Sequence, residues 1–280
     1  MIFKKKCMLT RQKKQVIYII FFFILFLGIL GGGIRVFSPH PTCTDGIKNQ
    51  GEEDIDCGGS CLPCSEVIEA EDIKVIETAL LPVSSNVYDA VAFIQNPNNL
   101  FGSGNITYTF EFIDGEGVVL KTLKGTAYIL PAQGRYLMLL EERVENFPVR
   151  VEFRIDSIVW EKFSEYEAPS LTITNKTFEK VSSGTDYGVA KGLVRNQSPY
   201  DFETVEIYVV LRNTLGEIIA INRTDMQTVR AGEKRDFPVT WKYIFDGDVS
   251  SIDAQAITNM FGNQNFIKLF FPGGRFQQYK

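Results

Sequence analysis

Residues 16–34, VIYIIFFFILFLGILGGGI, run for nineteen positions without a charged side chain. A helix rises about 1.5 Å per residue, so this run nearly matches a hydrocarbon layer of about 30 Å. A helix on a soluble core normally keeps one polar face, and this run has none. It therefore predicts a membrane-inserted helix over residues 16–36. Lys4, Lys5, Lys6, Arg11, Lys13 and Lys14 precede it with no acid among them, and only Arg35 follows closely. Positive charge stays on the cytoplasmic side, so residues 1–15 are expected to be a cytoplasmic tail and the rest of the chain to lie outside a cell membrane crossed once. A cleaved signal peptide is the competing reading. It would carry a shorter apolar stretch and a small-residue A-x-A-like site, and neither is present.

An acidic, cysteine-rich neck follows over residues 37–69. Residues 38–72 hold nine acids against Lys48 alone, and Cys43, Cys57, Cys61 and Cys64 fall within twenty-two residues. Outside a membrane, four clustered cysteines are expected to close two disulfides, and the spacing leaves all three pairings open. So short a segment cannot bury a real core, so covalent bridges must order it. A zinc site built from the four cysteines is the alternative, made unfavourable by export. Asp45, Asn49, Glu52, Asp54 and Asp56 place oxygen ligands every two to four residues in a glycine-containing loop, the kind of donor set calcium takes. The plain alternative is a solvated acidic spacer. The whole string resembles a cysteine motif of exported and surface proteins of prokaryotes, C-x-D-G-x-x-N-x-x-E-x-D-x-D-C-G-G-x-C-x-x-C. That resemblance implies a cell-surface setting rather than an activity.

Beyond the neck the apolar period changes to two. Ile106, Tyr108, Phe110 and Phe112 alternate with polar residues, and so do Val149, Val151, Phe153 and Ile155; Val205, Ile207, Val209 and Leu211 recur at the same spacing around Glu206, Tyr208, Val210 and Arg212, and Phe237, Val239 and Trp241 follow suit. Such runs, bounded by turns such as Asp114-Gly115 and Gly247-Asp248, predict half-buried strands, and many at short spacing predict sandwiches. Trp160 and Trp241, on alternating strands, are expected in the core. The pattern repeats about 100 residues on. Gln95-Asn96-Pro97 corresponds to Arg195-Asn196-Gln197, Asp114–Gly117 to Asn213–Gly216, and Pro131–Gly134 to Arg230–Glu233. The fold class predicted is mainly β: two separable, tandem immunoglobulin-like sandwiches over 70–164 and 170–265. Residues 266–280 are expected to be a C-terminal edge strand or tail closing the second.

The second half reads G-L-V-R-N at 192–196, then Phe202, Val205, Ile207, Val209 and Leu211, then Gly216–Ile219, Ala231-Gly232-Glu233 and Phe237. This resembles the FxLYD family of extracytoplasmic immunoglobulin-like domains. Phe110–Asp114 in the first half is similar to the signature itself, and Asn96-Pro97-Asn98 resembles the type-2 late-embryogenesis-abundant (WHy) domains. The second half departs from the signature at Val209–Asn213. The resemblance implies a fold and no catalytic residue.

Composition narrows the function. His40 is the single histidine, which excludes multi-histidine metal centres and leaves hydrolytic triads nothing to build on. A net charge of −5 argues against nucleic acid as a partner. The expectation is therefore not an enzyme. It is a membrane-anchored surface protein with a non-catalytic binding or display role, held in the bilayer by residues 16–36 and meeting an extracytoplasmic protein or glycan. The alternative is a structural or assembly subunit of an envelope, secretion or pilus-like complex. Asn105, Asn175, Asn196 and Asn222 begin N-x-S/T sequons whose use depends on the host.

Overall fold

The computed structural model describes residues 15–16, 18–23, 25–26, 43, 48–49, 51–53, 56–61, 63, 70–163, 167–182, 184–263 and 277–279. The chain divides into two units, residues 1–68 and 69–280. In the first, the described residues between 15 and 26 are helical, and Val16, Tyr18, Ile19, Phe22 and Phe26 expose their apolar side chains. No helix among the described residues is long and apolar enough to cross a membrane. Residues 17, 24 and 27–36 of the span expected over 16–36, and Cys7 in the tail, lie outside the described residues.

The second unit is mainly β. A first half contains β1 (Lys74–Ser84), β2 (Val87–Gln95), β3 (Phe101–Ile113), β4 (Val119–Ile129), β5 (Gly134–Arg143) and β6 (Arg150–Lys162). A second half contains β7 (Leu171–Lys180), β8 (Gly188–Asn196), β9 (Phe202–Arg212), β10 (Ile218–Val229), β11 (Lys234–Trp241) and β12 (Ser251–Ile257), and β13 (Gln277–Tyr279) ends the chain. All pairings are antiparallel. The sheets are β1-β2-β5, β13-β6-β3-β4, β10-β9-β12 and β11-β8-β7. In each half two sheets face one another, because inward-pointing residues of alternate position form one apolar layer. Ala90, Ile94, Ile106, Phe110 and Phe112 anchor the first layer, and Val194, Ile207, Val209, Leu211 and Trp241 anchor the second. Leu130 and Phe163 of the first half also enter the second layer.

The repeat seen in the sequence is a repeat of hydrogen bonds. Asn96 and Asn196 are fully buried. The Asn96 amide donates to the carbonyls of Phe101 (2.7 Å) and Leu130 (2.9 Å), and its Oδ1 accepts from Asn98 N–H. Asn196 donates to the carbonyls of Tyr200 (2.8 Å) and Arg230 (3.1 Å) and accepts from Ser198 N–H. Asp114 Oδ1 accepts from the amides of Glu116 and Val118, just as Asn213 Oδ1 accepts from those of Leu215 and Glu217. Buried carbonyls in turns need such partners, and one side-chain amide at the same position supplies them in both halves.

A third apolar layer, which alternation alone does not predict, lies between the halves. It joins Leu81, Val91, Tyr136 and Met138 of the sheet β1-β2-β5 to Tyr208, Val210, Ile218, Ile221 and Ile257 of the sheet β10-β9-β12. Both faces of β2 and of β9 are therefore buried. The two sheets that meet are not equivalent by the repeat. Position 210 corresponds to Glu111 and position 208 to Thr109, polar residues on the outer face of β3; position 91 corresponds to Lys191 on the outer face of β8.

Polar contacts frame this layer. The Arg212 guanidinium grips Glu77 with two bonds of 2.8 and 2.9 Å and gives Nε to Asp253 at 2.6 Å. Asp89, almost fully buried, accepts from Glu141 N–H and Tyr243 O–H. The Gln255 side chain accepts from Tyr136 N–H and donates to the Gly134 carbonyl.

Two expectations differ from the structure. Trp160 is half-buried while its neighbour Glu161 is buried. Register shifts opposite Gly102–Asn105 and Thr107–Tyr108 change the inward phase of β6, as bulges do. Phe266–Pro272, read as an edge strand closing the second half, lies outside the described residues, and β13 pairs with β6 of the first half.

Candidate functional site

The third layer does not close fully. At one margin a cleft of about 320 Å³ opens, lined by Tyr108, Tyr128, Arg135, Glu206, Tyr208 and Arg223 among others. Arg135, at the start of β5, is 3% exposed. Its guanidinium lies 4.3 Å from the centre of the Tyr128 ring and 5.9 Å from that of Tyr208. Nη1 donates to the Tyr128 carbonyl at 2.6 Å, and Nη2 reaches the Tyr208 hydroxyl at 3.2 Å and Glu206 Oε2 at 3.4 Å. Nε is buried without a partner among the described residues. Glu206 Oε2 also accepts from the hydroxyls of Tyr208 (3.2 Å) and Tyr128 (3.4 Å). One carboxylate oxygen is thus ringed by a guanidinium and two phenols. Burial raises the Tyr128 hydroxyl well above its usual pKa, more than the adjacent Arg135 lowers it, so Tyr128 stays a donor throughout the physiological range.

Strand geometry sets these positions. Tyr208 and Arg223 are direct cross-strand partners on β9 and β10. Tyr108 of β3 lies over Gly125 of β4, where a Cβ would come within 2.7 Å of the ring. Only glycine leaves room for that phenol. Beyond Glu206 the surface continues into an acidic hollow of about 470 Å³ bordered by Asp201 and Glu203. Arg135, Glu206 and Tyr208 were not singled out as site residues from sequence. The available signal was the unbroken apolar run around Tyr208 and Val210, where simple alternation calls for polar residues.

The neck residues form a separate cluster. Cys43 and Cys61 are bonded, with Cα atoms 5.6 Å apart, and Cys57 is also in a disulfide. Cys64 lies outside the described residues, as do Asp45 and Asp54. Glu52 is buried, and its Oε2 accepts from the backbone N–H of Asn49 (2.9 Å) and of Asp56 (3.3 Å). Its Oε1 lies 3.3 Å from the Cys61 sulfur. Glu52 therefore braces the loop. Cys43, Glu52 and Cys61 bring three donor atoms together, but the two sulfurs are bonded to each other and offer no thiolate. Gly58 and Gly59 have φ of +79° and +61°, and a Cβ on either would strike Glu53 or the Gly51 backbone. The paired glycines between Cys57 and Cys61 are required by this packing. Of the sequons, Asn105 and Asn175 are exposed, whereas Asn196 is buried and spent on carbonyls.

No family model matches the chain, and no curated protein sequence matches it. Among solved structures, the crystal structure of red sea bream transglutaminase is similar over 66% of this chain and 31% of its own, at 9% identity and a TM-score of 0.22. The chain thus spans under a third of that protein, and so low a score carries no argument about activity.

Proposed function

We propose that this chain is a membrane-anchored cell-surface protein. Residues 16–36 fix it in the bilayer with the N-terminus in the cytoplasm. Two tandem immunoglobulin-like sandwiches, 70–164 and 170–265, serve outside as a non-catalytic binding or display module. The observation that carries the reading is the covalent neck: the Cys43–Cys61 disulfide and the disulfide at Cys57 belong to an oxidising compartment. The exposed apolar side chains of the described helical residues between 16 and 26 support insertion in lipid. Calcium is the ion this reading assigns to the acidic neck, with Asp45, Asn49, Glu52, Asp54 and Asp56 as the expected donors; because Glu52 Oε2 already accepts from the Asn49 and Asp56 amides, the other four would carry more of the ligation.

Protease added to intact cells or spheroplasts tests the topology. Digestion of everything after Arg35, with the remaining stub retained in membranes after carbonate extraction, is expected. Release of a soluble chain lacking residues 16–36 would replace the anchor by a cleaved signal. A second reading, an assembly subunit, is favoured by the apolar side chains of Phe147, Leu215 and Ile244, which stand exposed in loops. Recovery of a fixed-stoichiometry complex from native membranes would select it.

A further inference from the structure

We propose that the cleft between the two halves recognises a carboxylate-bearing sugar unit, of the uronic-acid type that acidic polysaccharides present. This deepens the surface-binding reading above and relies on it only for where such a ligand would be met.

The charge of the lining comes first. The chain as a whole is net −5, yet Arg135 and Arg223 stand in this cleft against Glu206 alone. Arg223 is exposed at the rim of the cleft and, among the described residues, its guanidinium has no ion-pair or hydrogen-bond partner. Arg135 is more telling. A guanidinium carries five N–H donors, and here, among the described residues, one is well used on a carbonyl, Nη2 makes only the two long contacts, and Nε is buried and unpartnered. A desolvated guanidinium with spare donors favours a carboxylate or phosphate, because its charge is weakly screened and its planar fork fits two oxygens. Glu206 is held by phenols and a guanidinium here, which shows that this lining accommodates a carboxylate.

The remaining lining selects the kind of anion. Besides the arginines it presents the phenols of Tyr108, Tyr128 and Tyr208 and the side-chain amides of Asn105 and Asn259. A peptide Asp or Glu side chain has one polar group and no use for so many. A pyranose carries hydroxyls for the amides and phenols and apolar ring faces for the tyrosines, whose rings are apolar with a polar tip. A volume of about 320 Å³ suits one or two such rings and not a folded segment. Phosphate sugars share the charge, so the test includes one.

The test uses the full chain in detergent micelles and isothermal calorimetry. The probes are tri-galacturonate, neutral galactotriose, galactose 6-phosphate and a hexaglutamate peptide. Tri-galacturonate is expected to bind at least about tenfold more tightly than each of the other three. Arg223→Ala should weaken it by about tenfold or more, and Arg223→Lys by less, since lysine keeps the charge and loses the fork. Because the Arg223 guanidinium has no partner among the described residues, the melting temperature of Arg223→Ala should be unchanged, which separates loss of binding from loss of fold. Arg150→Ala, on the outer sheet of the first half, should bind as the native chain does. No heat from tri-galacturonate at about 10 mM, equal binding of the neutral sugar or the peptide, or an unaffected Arg223→Ala would overturn the proposal. Tighter binding of the sugar phosphate would overturn the assignment of a carboxylate. Since binding is read on purified protein, none of these outcomes bears on topology, and a failed topology test would leave them standing.

Discussion

Val210→Glu puts into the second half the residue that the first half carries at the corresponding position, Glu111. Val210 is fully buried in the layer between the halves, among Val91, Tyr136, Met138 and Tyr208. Removing it forfeits about 1.5–3 kcal/mol of burial. The new carboxylate either stays charged without a partner, at a cost of several kcal/mol, or takes up a proton. Arg212, two residues along on the same face, cannot rescue it, because its donors are committed to Glu77 and Asp253. The total approaches the ~5–15 kcal/mol that holds a whole domain together. The inner layers of the two halves are untouched, so the loss falls on their contact. Differential scanning calorimetry should show one cooperative transition in the native chain and two in the variant, the first well below the native midpoint. The deficit should be largest at neutral pH and shrink on acidification, since a carboxylate with a raised folded pKa favours folding only below that value. Glu111→Val is the control. Its position is on the solvated face, and it loses an ion pair with a half-exposed Arg154, worth below about 1 kcal/mol. A single unshifted transition in Val210→Glu, or a deficit under about 1 kcal/mol, would refute the claim that this layer joins the halves.

Asn196→Ala leaves two or three buried carbonyls and the Ser198 amide without their partner, at about 1–3 kcal/mol each, so urea denaturation should show a loss of several kcal/mol, and Asn96→Ala should match it. Gly59→Ala strains a φ of +61° and drives a Cβ into the Gly51 backbone, so alkylation under denaturing conditions should reveal more free thiol in the neck of the variant than of the native chain. Burial raises the carboxyls of Asp89 and Glu161, outweighing the N–H and O–H bonds that pull them down. The folded chain thus holds these protons more tightly than the unfolded one, and the stability they contribute is present in acid and lost as pH rises through the raised values. These two groups are expected to raise the melting temperature on acidifying from neutral towards about pH 5, and Asp89→Asn should flatten that rise.

The strands were legible because alternation and burial agree wherever a sheet has one wet face. Phe110, Phe112, Val209 and Trp241 lie where period two puts them. The corresponding turns were legible too, since Asn96 and Asn196, or Asp114 and Asn213, make the same bonds in each half. The joining layer was not read, although its trace is present. In β9 the run Ile207–Leu211 is continuously apolar, as it must be for a strand buried on both sides, whereas Thr107–Glu111 in β3 keeps its polar alternates. Comparing the repeats position by position would have exposed Tyr208 and Val210. Trp160 was misplaced because bulges shift phase without marking the shift in composition. The cleft was illegible for a different reason. Arg135, Tyr128, Glu206 and Arg223 come from four strands, and only the packing of one half on the other brings them together.

The account rests on where the β-halves sit relative to the membrane, and labelling tests that most directly. Leu215, 80% exposed at the tip of the β9–β10 turn, would carry an introduced cysteine, and Cys7 in the basic tail would serve as the opposite reporter. Cys43, Cys57 and Cys61, closed in disulfides, should stay silent. In intact cells a membrane-impermeant maleimide is predicted to label Leu215→Cys and to reach Cys7 only after permeabilisation. Labelling of Cys7 in intact cells with Leu215→Cys protected until permeabilisation would contradict the account.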